Sequence, residues 1–342
     1  MPKPDPFLLA LIVTLILASL VPCHGSATSV FHILTIIVIA VMFFLQGARL
    51  SRQAMLSGLG HWRLHACIFA CTFILFPLLG LGLHALLPHV LTPTLWLGVL
   101  FVCALPSTVQ SSIAFTSIGR GNVPAAVCSA TASNLLGIAV TPILVGLLLS
   151  RNGGGVSADA VLDIVLQLLL PFILGQLLQP WIGGWAKRNR RLLSFTDRGS
   201  ILIVVYTAFS EAVVQGIWHK LPVSMLLTLL LVDAALLTLV LLITRYGARL
   251  LGFDREDEIA IVFCGSKKTL ASGVPMAGVL FPSATVGMVV LPLMVFHQIQ
   301  LFVCAVMAKR YGSRPDGSLP EISAAGAELA PAITTRGGQP MA

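Results

Sequence analysis

The sequence predicts an all-α polytopic membrane protein. It has ten transmembrane helices in two five-helix sets of opposite orientation, with the fourth and ninth helices discontinuous. Three observations carry this. The chain is 57% hydrophobic and only 10% charged, against about 25% charged in a soluble domain. Its basic residues collect in alternate connections between apolar runs. Two of those runs hold a polar cluster and a proline at corresponding positions.

Backbone groups in lipid must be satisfied within the segment, so long apolar runs read as helices. Ten runs occur, at about 7–22, 30–50, 62–86, 94–118, 122–149, 160–180, 198–218, 222–245, 258–281 and 286–309. The first is short and follows Lys3, so it also fits a signal peptide ending near Cys23-His-Gly-Ser-Ala. Its loss would leave one five-helix set incomplete. The second ends in "FFLQGARLS", where Gln46 and Arg49 either line a cavity or close the helix. The third starts at Trp62. The fourth contains "ALPSTVQSSIAFT" and the fifth "CSATASN", with Ser129, Thr131, Ser133 and Asn134. An unpaired amide in lipid is costly, so Asn134 is expected to be a helix-helix or site ligand. The sixth, seventh and eighth carry the isolated acids Asp163, Glu211 and Asp233. The ninth contains "FCGSKKTLASGVP", preceded by "FDREDE", read as a solvated loop. The tenth carries His297, Gln298 and Gln300, read as packing groups.

Connections on one side hold sixteen Lys and Arg residues and those on the other two, Arg151 and Lys220. By the positive-inside rule both termini are cytoplasmic, in a multi-pass protein of a bacterial inner (plasma) membrane. The net charge of +8 is therefore a topology signal, and no nucleic-acid partner is expected. The five tryptophans fall near run ends, as an aromatic belt requires. The seven cysteines form no CxxC pair and read as small core residues. Residues 1–312 are expected to form the transmembrane domain, with repeats at about 5–150 and 158–312. Residues 313–342 read as a disordered cytoplasmic tail.

Five is odd, so the second set enters the membrane from the opposite side, the condition for an inverted repeat. Pro106 removes a backbone donor from the fourth helix, while Gly265, Gly273 and Pro275 weaken the ninth. Lys267 lies nine residues past Glu258, about 14 Å into a hydrocarbon layer of about 30 Å. Broken helices free N–H and C=O groups that must line a cavity or be buried in protein. Paired breaks at matching positions point to a transporter binding site. Ordinary kinks with hydroxyls back-bonded to the helix are the competing reading.

The stretches "LPSTVQSSIAFTSIGRGNVPAAVCSATASNLLGIAVTP" and "FCGSKKTLASGVPMAGVLFP" resemble the bile acid:sodium symporter family, in the divergent branch around sodium/bile acid cotransporter 7 and its bacterial homologues. The resemblance covers about residues 5–312. It implies a core domain and a panel domain, with the unwound fourth and ninth helices crossing at mid-membrane near the ion sites. It also implies elevator-like or rocking alternating access. Sodium-coupled members carry a glutamate and a Gly-x-Gln-Asn pattern in the ninth helix. Phe263 and Lys267-Lys268 stand at those positions here, and Ser111-Ser112 match the sodium-binding Ser-Asn pair.

The expected ion and substrate site is Pro106, Ser107, Thr108, Gln110, Ser111, Ser112, Ser129, Asn134, Lys267, Lys268 and Thr269. Three roles are open for the lysines. One ammonium replaces sodium near Thr108, Ser111, Ser112 and Thr269, or one attracts an anionic substrate, or one pairs with a carboxylate. Glu211 is the first candidate partner, ahead of Asp233 and Asp163. The leading expectation is a secondary transporter of a small organic anion or amphipath. It needs no cofactor, and its coupling ion is sodium or a proton. Oligomeric state is not legible. A membrane-embedded regulatory protein with the same fold and little turnover is the alternative. An intramembrane enzyme is disfavoured, since HExxH, GxGD and nucleotide-loop motifs are missing.

Overall fold

The computed structural model describes residues 6–23, 25–49, 61–150, 158–214, 216 and 221–313. Among them the chain is helical, with no strand. The helices are α1 (Pro6–Leu20), α2 (Ser26–Arg49), α3 (Trp62–Leu86), α4 (Pro93–Ala104), α5 (Val109–Ile118) and α6 (Val123–Ser150). They continue as α7 (Ala158–Arg188), α8 (Arg190–Val214), α9 (Val223–Leu250), α10 (Arg255–Gly265), α11 (Leu270–Leu280) and α12 (Ser283–Gly312). Six of them, α2, α3, α6, α8, α9 and α12, are long and apolar enough to span a bilayer unaided. α4 and α5 together make a seventh span, bent by 62°. The tail expected to be disordered lies outside the described residues, as does the side chain of Asp163.

Packing sorts the helices into two groups. α2 lies along α7, and α1 and α8 pack with them. The α2–α7 contact depends on two glycines. A Cβ on Gly47 would overlap the Phe172 carbonyl, and one on Gly175 the Phe44 carbonyl. Small residues permit this backbone approach in a bilayer, where lipid tails give apolar side chains no reason to associate. The second group is α3 to α6 with α9 to α12, and α8 packs across to α11 and α12.

Local sequence explains the helix ends that matter. Thr92 caps α4, accepting a bond from the Leu95 N–H at 3.3 Å, and Pro93 needs no donor at the first helical position. Asp254 caps α10 through the Asp257 N–H at 2.8 Å. The "FDREDE" stretch is thus a solvated loop only as far as Asp254, because Glu256, Asp257 and Glu258 form the first turn of α10 and the last two are buried. Asp257 accepts from the Asn122 amide at 2.8 Å. Glu258 accepts from Arg249 at 2.8 and 3.1 Å and from the Tyr311 hydroxyl at 2.9 Å. These bonds explain how two carboxylates are buried beside a helix N-terminus, where negative charge is favoured.

α3 contains one π turn, Cys71–Leu75. The Phe76 N–H reaches back five residues to the Cys71 carbonyl. The next donor in that register would be residue 77, which is proline. The Thr72 carbonyl is therefore left without a helical donor.

Candidate functional site

The two helix breaks meet. α4 stops where Pro106 offers no N–H, and residues 105–108 run extended before α5. α10 stops at Gly265, and residues 266–269 leave the helix, with Thr269 extended at the start of α11. The segments bond reciprocally, the Thr269 N–H to the Pro106 carbonyl at 3.0 Å and the Thr108 hydroxyl to the Lys268 carbonyl at 2.8 Å. Other freed groups are also taken. The Ser107 N–H donates to the Ser133 hydroxyl at 3.1 Å, and Thr141 donates to the Ala104 carbonyl at 2.9 Å. Ser107 and Ser112 donate to the Cys264 and Phe263 carbonyls at 2.6 and 3.0 Å, closing the end of α10. Gln300 pairs its amide with the Lys268 peptide, at 2.9 Å to the N–H and 2.8 Å to the carbonyl. A Cβ on Gly137 would lie 2.5 Å from the Pro106 ring, so glycine is needed where α6 passes the break.

Lys268 is fully buried. Its Nζ donates to the carbonyls of Thr72, Cys103 and Leu105 at 2.8, 2.9 and 2.6 Å. It also lies 4.0 Å from the centre of the Phe76 ring. Each carbonyl is free for a stated reason. Pro77 orphans Thr72. The Ser107 N–H, which would serve Cys103, is spent on Ser133. Leu105 lies in the break itself. Three acceptors match the three N–H groups of an ammonium, whereas a neutral amine would set a lone pair against a carbonyl. The arrangement is a cage of carbonyl oxygens around a tethered cation.

Lys267 points elsewhere, as the roughly 100° between successive helical residues leads one to expect. Its Nζ donates to the Ser111 carbonyl at 2.8 Å and lies 3.7 Å from the Phe115 ring centre and 5.7 Å from that of Phe263. A desolvated cation over an aromatic face gains about 2 kcal/mol. Phe263, which by resemblance replaces a carboxylate, thus supplies a π face to the ammonium.

Beside the crossing lies a cavity of about 420 Å³. Both half-helix N-termini form its wall, Thr108 to Ser111 of α5 and Thr269 to Ser272 of α11. Neither N-cap threonine caps its helix. The first-turn N–H groups have no acceptor among the described residues. Gln46, Thr131, Asn134, Ser194 and His297 also line it, with Arg49, Arg198 and the one carboxylate, Asp197. Arg49 is held in a two-point ion pair with Asp197, at 2.6 and 3.0 Å.

Of the expected site residues, Thr108, Gln110, Ser111, Asn134 and Thr269 line this cavity, and Ser272 donates to the Asn134 carbonyl oxygen at 3.1 Å. Pro106, Ser107, Ser112 and both lysines belong to the crossing behind it. Ser129 belongs to neither; it lies 2.6 Å from the His65 ring nitrogen. Glu211 is no charge partner. It lines a separate cavity, and neither ammonium meets a carboxylate among the described residues. Backbone carbonyls already use every donor of Lys268. Asp233 is fully buried, with both carboxyl oxygens unpartnered among the described residues. Sequence reasoning missed Thr72, Phe76 and Pro77, and it read Gln300 only as packing. The signal available for the first three was a proline in the middle of the third apolar run.

A family model described as the SBF-like CPA transporter family matches residues 5–313. An uncharacterized protein of Pseudomonas aeruginosa, PA2026, is 60% identical over 314 residues, covering 92% of this chain and 94% of its own length. "Putative symporter YfeH" of Escherichia coli is 55% identical over 307 residues, covering 90% and 92%. Mouse "Sodium/bile acid cotransporter 7" is 27% identical over 275 residues, covering 79% and 81%. The resemblance drawn from the two broken-helix motifs is thereby confirmed.

Proposed function

Because the chain belongs to the SBF-like CPA transporter family, we propose that it is a secondary active transporter of a small organic anion or amphipathic solute. One observation carries the choice of an anion: two uncapped half-helix N-termini open into the same cavity of about 420 Å³. Each carries about half a positive charge and several free N–H donors. The two ammonium groups lie behind the cavity wall and add to the positive potential without touching a solute. Lys268 stands where a coupling cation would bind, so transport needs no sodium at the crossing. In this reading the ten apolar runs form two inverted five-helix repeats. α1, α2, α7 and α8 make the panel, and both termini are cytoplasmic. The cavity then reaches the cytoplasm past the Arg49–Asp197 pair, and transport moves one helix group against the other.

Ala271 is exposed in the first turn of α11. An Ala271→Asp variant places a carboxylate there, which favours the helix yet repels an anion. The test is the melting temperature of purified protein with a panel of organic carboxylates and sulfonates and their neutral analogues. A ligand that binds only the folded state raises it by mass action. Wild type is expected to be stabilised by at least one anion, and Ala271→Asp to keep its fold and lose the response. The same anion should then accumulate in proteoliposomes. A wild type blind to the whole panel would favour the regulatory-protein reading.

A further inference from the structure

A second cavity, of about 170 Å³, lies at the same interface between α2–α8 and α11–α12, at the opposite end from Arg49. The register follows from two contacts. Arg49 pairs with Asp197, and the Thr35 hydroxyl donates to that of Thr207 at 3.2 Å. Partner numbers rise on α8 as they fall on α2, so the helices are antiparallel. One turn beyond the threonine contact, His32 and Glu211 come to the same level on facing helices. Both line the cavity with Thr35, Thr207 and Ser283. The rest of the wall is apolar, including Ile36, Ile39, Val204 and Val286.

Glu211 has no hydrogen bond or ion pair among the described residues. A carboxylate inside a spanning helix is expensive unless a counter-charge accompanies it. The lysines are committed to the crossing, so among the described residues no Lys or Arg side chain supplies that charge. The groups that face the cavity are one carboxylate, three hydroxyls and one imidazole. Such an oxygen-rich set suits a hard monovalent cation. It lacks the carboxylates that a divalent ion usually demands.

We propose that the Glu211 cavity is a binding site for a small monovalent cation, and that it loads the ion that drives transport. This rests on the transporter reading above and adds to it the place of the coupling ion. The crossing cannot serve, because Lys268 fills its carbonyl cage. The same placement explains how a carboxylate can lie on the route of an anion. Glu211 would repel the anion alone, and a bound cation removes the repulsion, so anion and cation pass together.

The test uses the full-length protein in detergent with no organic anion present, so its result does not depend on whether an anion binds the other cavity. Melting temperatures are measured in sodium, potassium and choline chloride at matched ionic strength, each at a weakly acid and a weakly alkaline pH. Wild type, Glu211→Gln and Glu211→Asp are compared. Sodium or potassium stabilising wild type and Glu211→Asp but not Glu211→Gln supports the site and names an alkali ion. A stabilisation by acid pH, equal in all three salts and lost only in Glu211→Gln, supports it with the proton as occupant. Wild type and Glu211→Gln responding alike to both salt and pH overturns the proposal. If Glu211→Gln does not fold, Thr207→Val with Ser283→Ala replaces it, and an unchanged cation response in that variant is the overturning result.

Discussion

Lys268 shows how a single side chain can change what a site binds. Its ammonium takes three backbone carbonyls within 3 Å, the coordination a dehydrated alkali ion would otherwise seek. Removing it leaves three buried acceptors unserved, and breaking a buried charged interaction costs about 3–5 kcal/mol. Lys268→Met should therefore lower the melting temperature sharply. Lys267→Gln/Lys268→Asn should instead gain a sodium-dependent rise that potassium does not give. That experiment belongs in a Glu211→Gln background, so that only the crossing is read. A sodium response of the single Glu211→Gln protein would show that the lysines leave an ion site open. The lysine pair was legible in the sequence, since two charges in an apolar run stand out. Its partners were not, because every acceptor is a backbone atom and no residue type announces a free carbonyl.

At the scale of the element, the π turn in α3 and the break between α4 and α5 are one device. Pro77 frees Thr72 on one side of the ammonium, and Pro106 with Ser107 frees Cys103 and Leu105 on the other. Pro77→Ala restores a helical N–H that competes with Lys268 for the Thr72 carbonyl. In the wild-type background this should cost about 1 kcal/mol net, the loss of a charge-assisted bond partly offset by a better helix. In a Lys268→Met background the same change should stabilise, because the carbonyl then lacks any donor. A double-mutant cycle of melting temperatures measures the sign change, and additivity would mean that the π turn and the lysine are independent. The broken helices themselves were readable from proline, glycine and hydroxyl clusters. The π turn was not. A proline in a hydrophobic helix reads equally well as a kink, and only the Phe76-to-Cys71 bond selects the wider turn. The acidic entry to α10 was misread because two of its partners, Asn122 and Tyr311, are distant in sequence.

At the scale of the molecule, two helix groups meet along an interface that holds both cavities. The group with α2 and α7 depends on Gly47 and Gly175 for its close approach. Gly175→Val forces those backbones apart and should cost about 1–3 kcal/mol, the usual range for overpacking. The anion response should survive, because its donors lie on α5 and α11 in the other group. Loss of the response would mean that Gln46, Arg49 or Arg198 in the first group holds the anion as well.

The sequence by itself determined that this is a membrane protein of apolar helices, where its two breaks fall, which residues there are polar, and its family. Those properties are written in local composition and hydrophobic run length, which lipid enforces segment by segment. Only the tertiary structure decided that Lys268 and Lys267 face carbonyls and aromatic rings rather than Glu211. It likewise decided that Ser129 turns to His65, and that both half-helix N-termini open into one cavity. Those outcomes depend on which helices lie side by side, and on which backbone groups a proline or a spent donor leaves free. Neither is encoded at any single position.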